Sequence, residues 1–348
     1  MPTAVFVTAA SPRIGGGHVL RCVALAQALG AEGMTSVFAV DRETMKTIAL
    51  AEVGVTSHVE VDVRRGAETP DVPAPNVVIF DGYGIESSAE ARWEGRTLRV
   101  ALDDLADRKH DCELLIDSGV ARRRQDYDGL VPAGCEVLVG PSYALLRAEF
   151  VAARNRALGR RTGGDVQRLL VAMGYTDVSG VTRRAVEGAL LASKAWHVDV
   201  VTGSGASSLP WLREAEKKAR LSVHVDIGAA AMADLMVNAD LAVGAGGGTA
   251  LERCCLGLPS LTIVVAENQR ASAVAMDRAG AARLAGELNG LTTSKVAESL
   301  SALARQPAKL AEFSRAAARL VDGEGATKVA RRIVERLDDR SWGRRIDA

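Results

Sequence analysis

The sequence predicts an α/β protein with two domains, each built around a mostly parallel sheet. Its 348 residues are too many for one ordinary hydrophobic core, so two domains of about 150 to 180 residues each are expected. Hydrophobic residues make up 48% of the chain. They occur in short β-branched runs that alternate with amphipathic stretches of helical length, which is the pattern of βα units.

The first half contains six strand-like runs and one well-defined helix, from His18 to about Ala31. The strands are predicted near residues 5–8, 36–40, 77–80, 98–102, 114–117 and 137–139. Residues 153–165 are basic and glycine-containing without apolar periodicity, which predicts a linker. We therefore expect Rossmann-like domains over residues 1–152 and 166–337.

The alternation restarts after the predicted linker. Strands are expected at residues 168–173, 198–202, 223–226, 241–244 and 260–265. The tail from Pro307 to Leu337 is helical by pattern and is interrupted by Gly323-Glu324-Gly325.

Composition argues against several classes of protein. Lysine plus arginine and aspartate plus glutamate both number 43, so the broad positive field of nucleic-acid and anionic-membrane binders is absent. No apolar run approaches the ~20 residues of a membrane helix, and the N-terminus has no signal-peptide pattern. The five cysteines are odd in number and lack metal-ligand spacing, which favours reduced thiols. We expect a cytoplasmic protein, a monomer or weak oligomer, that binds neither nucleic acid nor membrane.

The first candidate site is Gly15-Gly16-Gly17-His18, between the first strand and the first helix. Glycines let a ligand approach the backbone, and a helix N-terminus offers free N–H groups and a positive dipole end. Histidine, with an unperturbed pKa near neutrality, suits general-base catalysis. The alternative is a capping or surface histidine. The position at the carboxyl edge of the predicted sheet, where open α/β folds bind ligands, favours catalysis.

The second candidate is Gly244-Ala245-Gly246-Gly247-Gly248-Thr249, again between a strand and a helix. With Thr249 as N-cap, this turn would cradle a diphosphate. Glu252, one turn further, could accept hydrogen bonds from ribose hydroxyls, or could complete a capping box with Thr249. The first glycine stretch, before His18, matches neither the dinucleotide nor the Walker A fingerprint.

Other polar residues follow predicted strands. Asp81 and the pair Asp103-Asp104 reach the same edge of the first sheet, where they could hold a metal, orient a substrate or orient the histidine. No further metal ligands stand at suitable spacing. Glu267-Asn268-Gln269 could contact sugar or phosphate, or cap a helix. The remaining strand histidines, His58, His197 and His224, are expected to be packing or surface residues.

Together these residues resemble the UDP-2,4-diacetamido-2,4,6-trideoxy-β-L-altropyranose hydrolases of pseudaminic acid biosynthesis. The resemblance spans most of the chain in order. It rests on the stretches Gly15 to Ala26, Asp103 to Cys112, Gly140 to Arg147, Gly244 to Pro259 and Glu267 to Gln269.

The resemblance implies a GT-B fold of two Rossmann-like domains facing a cleft. It also implies metal-independent, inverting hydrolysis without a cofactor. His18 would be the base that activates water, Glu252 a ligand of the UDP ribose, and Tyr83 and Asp104 candidates for the sugar side. The expected substrate-binding residues are Gly16, Gly17, Arg21, Tyr83, Asp104, Gly174, Asp177, Gly246, Gly247, Gly248, Thr249, Glu252, Asn268 and Gln269.

One loop departs from the family pattern. Where the family has Gly-Gly-(Thr/Ser/Ala)-Asp and, three residues further on, Asn, this chain reads Gly174-Tyr175-Thr176-Asp177-Val178-Ser179-Gly180. A bulky Tyr175 could narrow the nucleotide pocket or alter base recognition. Three alternatives stay open: a glycosyltransferase, a hydrolysing 2-epimerase and a non-catalytic nucleotide-sugar sensor. The first would release UDP only with an acceptor, the second would change the sugar at C2, and the sensor would bind without turnover.

Overall fold

A computed structural model describes residues 1–11, 14–65, 75–93, 95, 97–161, 163–175, 177 and 180–346, with only the backbone for 65 and 340–346. The chain forms two units. The first comprises Met1–Ala148 and the segment from Glu324 onward, and the second comprises Glu149–Gly323. No described helix is long and apolar enough to cross a membrane.

The described residues of the first unit form a seven-stranded, all-parallel sheet in the order β3-β2-β1-β4-β5-β6-β7. Its strands are β1 Thr3–Thr8, β2 Thr35–Val40, β3 His58–Glu60, β4 Val77–Asp81, β5 Leu98–Leu102, β6 Leu114–Asp117 and β7 Glu136–Val139. The chain runs from β1 outward to β3 and then returns to β4 on the other side of β1. This reversal is a topological switch point, and the loops that leave β1 and β4 lie beside it.

The described residues of this unit form four α-helices: α1 Gly17–Ala31, α2 Arg42–Thr47, α3 Ser87–Ala91 and the C-terminal helix Gly325–Ile346. The C-terminal helix buries Val329, Ala330 and Ile333 in the same core cluster as Phe6 and Leu25. Parallel strands that are covered on both faces read as continuous apolar runs, as β4 does from Val77 to Phe80.

The described part of the second unit forms a six-stranded parallel sheet in the order β10-β9-β8-β11-β12-β13. Its helices are α4 Ala148–Arg160, α5 Val181–Ala192, α6 Leu209–Glu216, α7 Ala229–Asn238, α8 Gly248–Cys255, α9 Arg270–Arg278, α10 Thr293–Ala304 and α11 Pro307–Leu320. Its strands are β8 Arg168–Ala172, β9 His197–Thr202, β10 Leu221–Val225, β11 Leu241–Ala245, β12 Ser260–Val264 and β13 Arg283–Glu287. The switch point here lies between β8 and β11.

The predicted fold class is confirmed, and every predicted strand is present within a few residues. Two strands were missed, His58–Glu60 and Arg283–Glu287. Both lie at an edge of their sheet and carry charged residues, so neither shows the apolar run on which the prediction relied.

The predicted linker is wrong over most of its length, because residues 148–160 form α4. Phe150, Ala153 and Ala157 bury one face of this helix at helical spacing. The face was overlooked because arginines stand between the small apolar residues. One of them, Arg154, donates to the backbone carbonyls of Val321 and Ala318 at 2.9 and 2.7 Å. Thr162 lies outside the described residues.

The predicted second domain also ended too late. It included residues up to 337, whereas the chain returns to the first unit at Glu324. The break is where the sequence predicted it, with Gly323 at φ +91°. The helix that follows packs its apolar face on the first core rather than the second.

Candidate functional site

His18 lies in the first turn of α1, directly after the loop that leaves β1. Gly16 is the N-cap, and its carbonyl accepts from the Leu20 N–H at 3.1 Å. A Cβ on Gly16 would stand 2.7 Å from Cδ1 of Ile48, whereas one on Gly17 would meet nothing within 4 Å. The glycines therefore allow a tight turn on one side and leave open space at Gly17.

Asp81, the last residue of β4, holds the imidazole of His18. The pairing of β1 with β4 sets Thr8 opposite Asp81, so the loop from β1 and the end of β4 meet at the switch point. Nδ1 of His18 lies 2.6 Å from Oδ1 of Asp81, and the histidine is 5% exposed while the aspartate is fully buried. A carboxylate can only accept, so Nδ1 carries the hydrogen, and in the neutral form of the ring the lone pair would lie on Nε2.

Arg21, one turn along α1, completes the arrangement. Its Nε and Nη2 donate to the two oxygens of Asp81 at 2.6 and 2.5 Å. Burial alone would raise the pKa of the Asp81 carboxyl, but the charges and hydrogen bonds of Arg21 and His18 outweigh it. They lower that pKa from 3.8 to about 2. Asp81 is therefore ionised at neutral pH and fixes both side chains.

Tyr83 and Asp104 lie next to His18 and Arg21. The Tyr83 ring meets the imidazole of His18 edge-on, with 4.6 Å between ring centroids. Its hydroxyl donates to Oδ2 of Asp104 at 3.2 Å, and Nη1 of Arg21 reaches the same oxygen at 3.4 Å. The structure thus brings together four residues that the sequence singled out, His18, Arg21, Tyr83 and Asp104.

The adjacent residues Asp103 and Asp104 do not share a site. Asp103 is buried and accepts from Nη1 of Arg108, the N–H of Ala106 and the hydroxyl of Tyr127, at 2.7, 2.8 and 3.0 Å. Among the residues that the structure describes, no three His, Cys, Asp or Glu side chains are grouped as a metal site requires.

A buried histidine that was not predicted as a site residue, His110, lies beside Asp103. His110 donates from Nδ1 to Oε1 of Glu90 at 2.8 Å. Burial alone would lower the pKa of His110, but the nearby Asp103 carboxylate, 3.8 Å from Nε2, and the hydrogen-bonded Glu90 raise it from 6.5 to about 9. His110 is therefore a cation at neutral pH. The only available signal was its place beside Asp103 in the Asp103 to Cys112 stretch.

In the second unit, the glycine turn after β11 leads into α8. Gly247 is the N-cap, and the helix begins at Gly248. The predicted N-cap at Thr249 is wrong, because the Ala250 N–H already donates to the Gly247 carbonyl at 2.8 Å and closes the first turn earlier. The capping box with Glu252 fails for the same reason. Glu252 is buried in α8, at 7% exposure.

Gln269 holds this turn in place. Its Oε1 accepts from the N–H groups of Gly246 and Val265 at 3.1 and 3.3 Å. The N–H of Gly246, which the sequence predicts to face a diphosphate, thus donates to the Gln269 side chain in this structure. The first N–H groups of α8 lack intrahelical acceptors by helix geometry. Asn268, next to Gln269, is exposed.

Arg253 was also missed, since nothing in its local sequence distinguishes it from a surface arginine. It is 1% exposed, and its Nη2 donates to the Ala245 carbonyl at 2.8 Å. Burial lowers its pKa to about 10. A Cβ on Gly244 would collide with its guanidinium, which explains the first glycine of the turn.

Asp177 acts as a helix cap. Its Oδ1 accepts from the Thr182 N–H at 2.9 Å and its Oδ2 from the Ser208 N–H at 3.1 Å, at the starts of α5 and α6. Burial alone would raise its pKa, but the hydrogen bonds from Ser208 and Thr182 lower it. The predicted role in substrate binding is therefore corrected, because helix N-termini take both oxygens.

Tyr175 is 46% exposed and lies over the neighbouring strand end rather than over the glycine turn. A Cβ on Gly203 would stand 3.0 Å from the Tyr175 ring, whereas one on Gly246 would have no Tyr175 atom among its three nearest neighbours. Its hydroxyl hydrogen-bonds the carboxyl of Asp226, which follows β10. Gly174 has φ +113°. Thr176, Val178 and Ser179 lie outside the described residues.

The family model of the glycosyltransferase family 28 C-terminal domain matches residues 190–336. A UDP-2,4-diacetamido-2,4,6-trideoxy-β-L-altropyranose hydrolase of Campylobacter jejuni is 29% identical over 150 residues, 43% of this chain and 51% of that protein. A UDP-N-acetylglucosamine–N-acetylmuramyl-(pentapeptide) pyrophosphoryl-undecaprenol N-acetylglucosamine transferase of Hahella chejuensis is 37% identical over 105 residues, 29% of each chain. The matches therefore span about half or less of these relatives.

Solved structures share the fold over nearly the whole chain. Acinetobacter baumannii MurG gives a TM-score of 0.65 at 15% identity and covers 96% of this chain and 100% of its own. A complex of Staphylococcus aureus MnaA with UDP gives 0.64 at 11% identity, covering 97% of both. The chain therefore has the GT-B fold, matches the glycosyltransferase family 28 C-terminal domain over residues 190–336 and is similar in sequence to a UDP-diacetamido-trideoxy-altropyranose hydrolase.

Proposed function

We propose that the protein hydrolyses the anomeric C–O bond of UDP-2,4-diacetamido-2,4,6-trideoxy-β-L-altropyranose, releasing UDP and the free 2,4-diacetamido-2,4,6-trideoxy-L-altrose. The observation that carries the proposal is the buried contact of 2.6 Å between His18 Nδ1 and Asp81. It gives the histidine a fixed tautomer with a basic Nε2, the arrangement of a general base oriented by a carboxylate. The Campylobacter relative bears the name of this activity.

In this mechanism Nε2 of His18 accepts a proton from water as the water oxygen attacks the anomeric carbon. The C–O bond to the diphosphate breaks with its electron pair on the leaving oxygen, and the configuration at the anomeric carbon inverts. Asp81 stabilises the imidazolium that forms. UDP is a good leaving group, so protonation of the leaving oxygen by a carboxylic acid is not required, unlike in ordinary glycosidases.

The nucleotide part is assigned to the second unit. Charge builds on the diphosphate as the bond breaks, and the N–H groups at the start of α8, from Gly247 to Thr249, are suited to stabilise it. Glu252, one turn along the helix, is proposed as the ribose ligand. Gln269 supports the turn through its bond to the Gly246 N–H at 3.1 Å.

The test uses the purified protein with this UDP-sugar in H₂¹⁸O, with EDTA present and no acceptor. We expect UDP release and one ¹⁸O atom in the free sugar, none in UDP. Label in UDP would mean attack at phosphorus and would refute the mechanism. His18→Gln should abolish release, and His58→Gln, at an exposed histidine of the same unit, should not.

A glycosyltransferase is the second candidate, favoured by the family 28 domain match and by the Hahella relative. It predicts UDP release only when an acceptor hydroxyl is added. The hydrolysing 2-epimerase predicts a changed C2 in the product, and the sensor predicts binding without turnover. The same incubation, carried out without and then with an acceptor and followed by NMR of the sugar, separates all four.

We further propose that the reaction serves pseudaminic acid biosynthesis for flagellin or surface glycans, in the cytoplasm, with the protein acting as a monomer or weak oligomer. The support is the resemblance of the motifs and the name of the Campylobacter relative. Loss of pseudaminic acid from surface glycans after deletion of the coding sequence is the expected result.

A further inference from the structure

Two turns present the polar groups around His18, and one side chain joins them. The first turn follows β4 and carries Tyr83, and the second follows β5 and carries Asp104. Arg108 donates from Nη1 to Oδ1 of Asp103 in the second turn at 2.7 Å. From Nη2 it also reaches the carbonyl of Gly82 in the first turn at 3.4 Å.

Arg108 makes a third contact, from Nε to the Ile85 carbonyl at 3.3 Å. Its side chain is 19% exposed, and the Asp103 side chain is 1% exposed. A guanidinium has a planar fork of donors that can hold a carboxylate and two carbonyls at once, which a lysine ammonium cannot reproduce. Arg108 is thus a link between the turns.

The side of Asp103 away from Arg108 is also fixed. The hydroxyl of Tyr127 lies 3.0 Å from Oδ2 of Asp103 and 2.7 Å from Oδ2 of Asp117, so its single hydrogen is shared between the two carboxyl groups. Arg122, which pairs with Asp117, donates from Nη2 to the carbonyl of Asp104 at 2.7 Å. The second turn is therefore held rigidly, so that Arg108 ties the Tyr83 turn to a fixed point.

We propose that Arg108 is a positioning residue that sets the Tyr83 turn relative to Asp104 and His18. Without it, the hydroxyl of Tyr83 would lose its fixed distance of 3.2 Å to Asp104, and its ring would lose the edge contact with His18. The inference deepens the proposed function, on which its kinetic part rests. Its geometric part stands without it.

The test compares Arg108→Lys and Arg108→Met with a matched control, Arg99→Met. Arg99 is a buried arginine of the first unit, 7% exposed, and like Arg108 it binds carboxylates, those of Asp111 and Glu113 at the amino end of β5. Arg108→Lys keeps a charge beside Asp103 but cannot span both carbonyls. It therefore addresses the possibility that Arg108→Met fails to fold.

The first measurement is the NMR resonance of the His18 ring, assigned by its absence in His18→Gln. We expect it to shift and broaden in Arg108→Lys and Arg108→Met, because the edge-on Tyr83 ring moves, and to stay at its wild-type position in Arg99→Met. An unchanged His18 resonance in both Arg108 variants would overturn the proposal. This measurement does not depend on turnover.

The second measurement is the kinetics of UDP release. Misplacement of groups around the reacting centre costs about 10- to 100-fold, so kcat should fall by that factor in both Arg108 variants. KM should change little, and the affinity for UDP alone should not change. An equal loss of kcat in Arg99→Met would reduce Arg108 to a general structural role and refute the proposal. If wild-type protein releases no UDP while the His18 resonance responds, the proposed function fails and the positioning role stands.

Discussion

Replacing Asp81 with asparagine tests the centre of the proposed site. Asparagine keeps the size of the side chain and one acceptor oxygen, but it removes the charge that faces Arg21 and His18 at 2.5 to 2.6 Å. The lowering of the Asp81 pKa from 3.8 to about 2 corresponds to about 2 kcal/mol of folding free energy. Losing one partner of a buried ion pair costs about 3 to 5 kcal/mol. We therefore expect a loss of about 2 to 4 kcal/mol at pH 7.

The sign of the pH dependence follows from the lowered pKa. The contribution of Asp81 is fully present above the unfolded pKa of 3.8 and is lost as the pH falls through about 2. The stability gap between wild type and Asp81→Asn should thus be constant from pH 7 to about 4 and should narrow below it. Hydrogen exchange of amides in β1 and β4 measures the opening free energy of the first unit alone. A gap independent of pH down to 2, or no gap, would refute the assigned ion pair.

The same variant has a kinetic consequence under the proposed function. Asparagine can present its amide nitrogen to Nδ1 of His18, which allows the hydrogen to move to Nε2 and removes the base. In a catalytic triad such a change lowers kcat by about 10⁴-fold. We expect a fall of about 10³- to 10⁴-fold in UDP release, with UDP binding unchanged. Wild-type kcat in folded Asp81→Asn would mean that His18 does not need this carboxylate.

Three further changes give separate tests. His18→Ala should fold and lose at least about 100-fold of its UDP release; substantial turnover would remove His18 from the mechanism. Burial alone would lower the pKa of His110, but its two carboxylate partners raise it to about 9. Charged His110 therefore contributes about 3 kcal/mol to the free energy of unfolding below pH 6.5, and this contribution is lost as the pH rises through 9. The difference in unfolding free energy between wild type and His110→Gln should close over that range, and a constant difference would contradict this. Gly325→Ala would set a Cβ 2.5 Å from the backbone nitrogen of Ala144, so the melting temperature of this variant should fall. The control Gly30→Ala adds a Cβ in open space within α1, so its melting temperature should equal or exceed that of the wild type. Equal melting temperatures would contradict the reasoning.

Local patterns were sufficient for the strands and for the first glycine turn. Buried parallel strands contain continuous apolar runs, such as Val77 to Phe80 in β4, and the fold class follows from their alternation with helices. Glycines before a histidine at the end of a strand mark a backbone that must bend tightly. These features are encoded within a few residues, so the sequence alone reveals them.

The hydrogen-bond partners of the site residues could not be predicted from local sequence patterns. Asp81 is 63 positions from His18, and only the parallel pairing of β1 with β4 brings them together. Asp177 and Gln269 look like ligands in the sequence, yet their oxygens bind backbone N–H groups. A polar side chain near a sheet edge can face a ligand or a helix end, and its local sequence does not distinguish these.

The sequence by itself determined the α/β class, the order of most strands and helices, and the position of the histidine at the start of α1. The tertiary structure decided which unit each helix joins and which acceptor each polar group finds. The apolar positions of the C-terminal helix, Val329, Ala330 and Ile333, show that one face is buried. They do not show against which core the helix packs, because the hydrophobic effect is non-directional and any apolar surface can cover such a face. Only packing against Phe6 and Leu25 assigns this helix to the first unit.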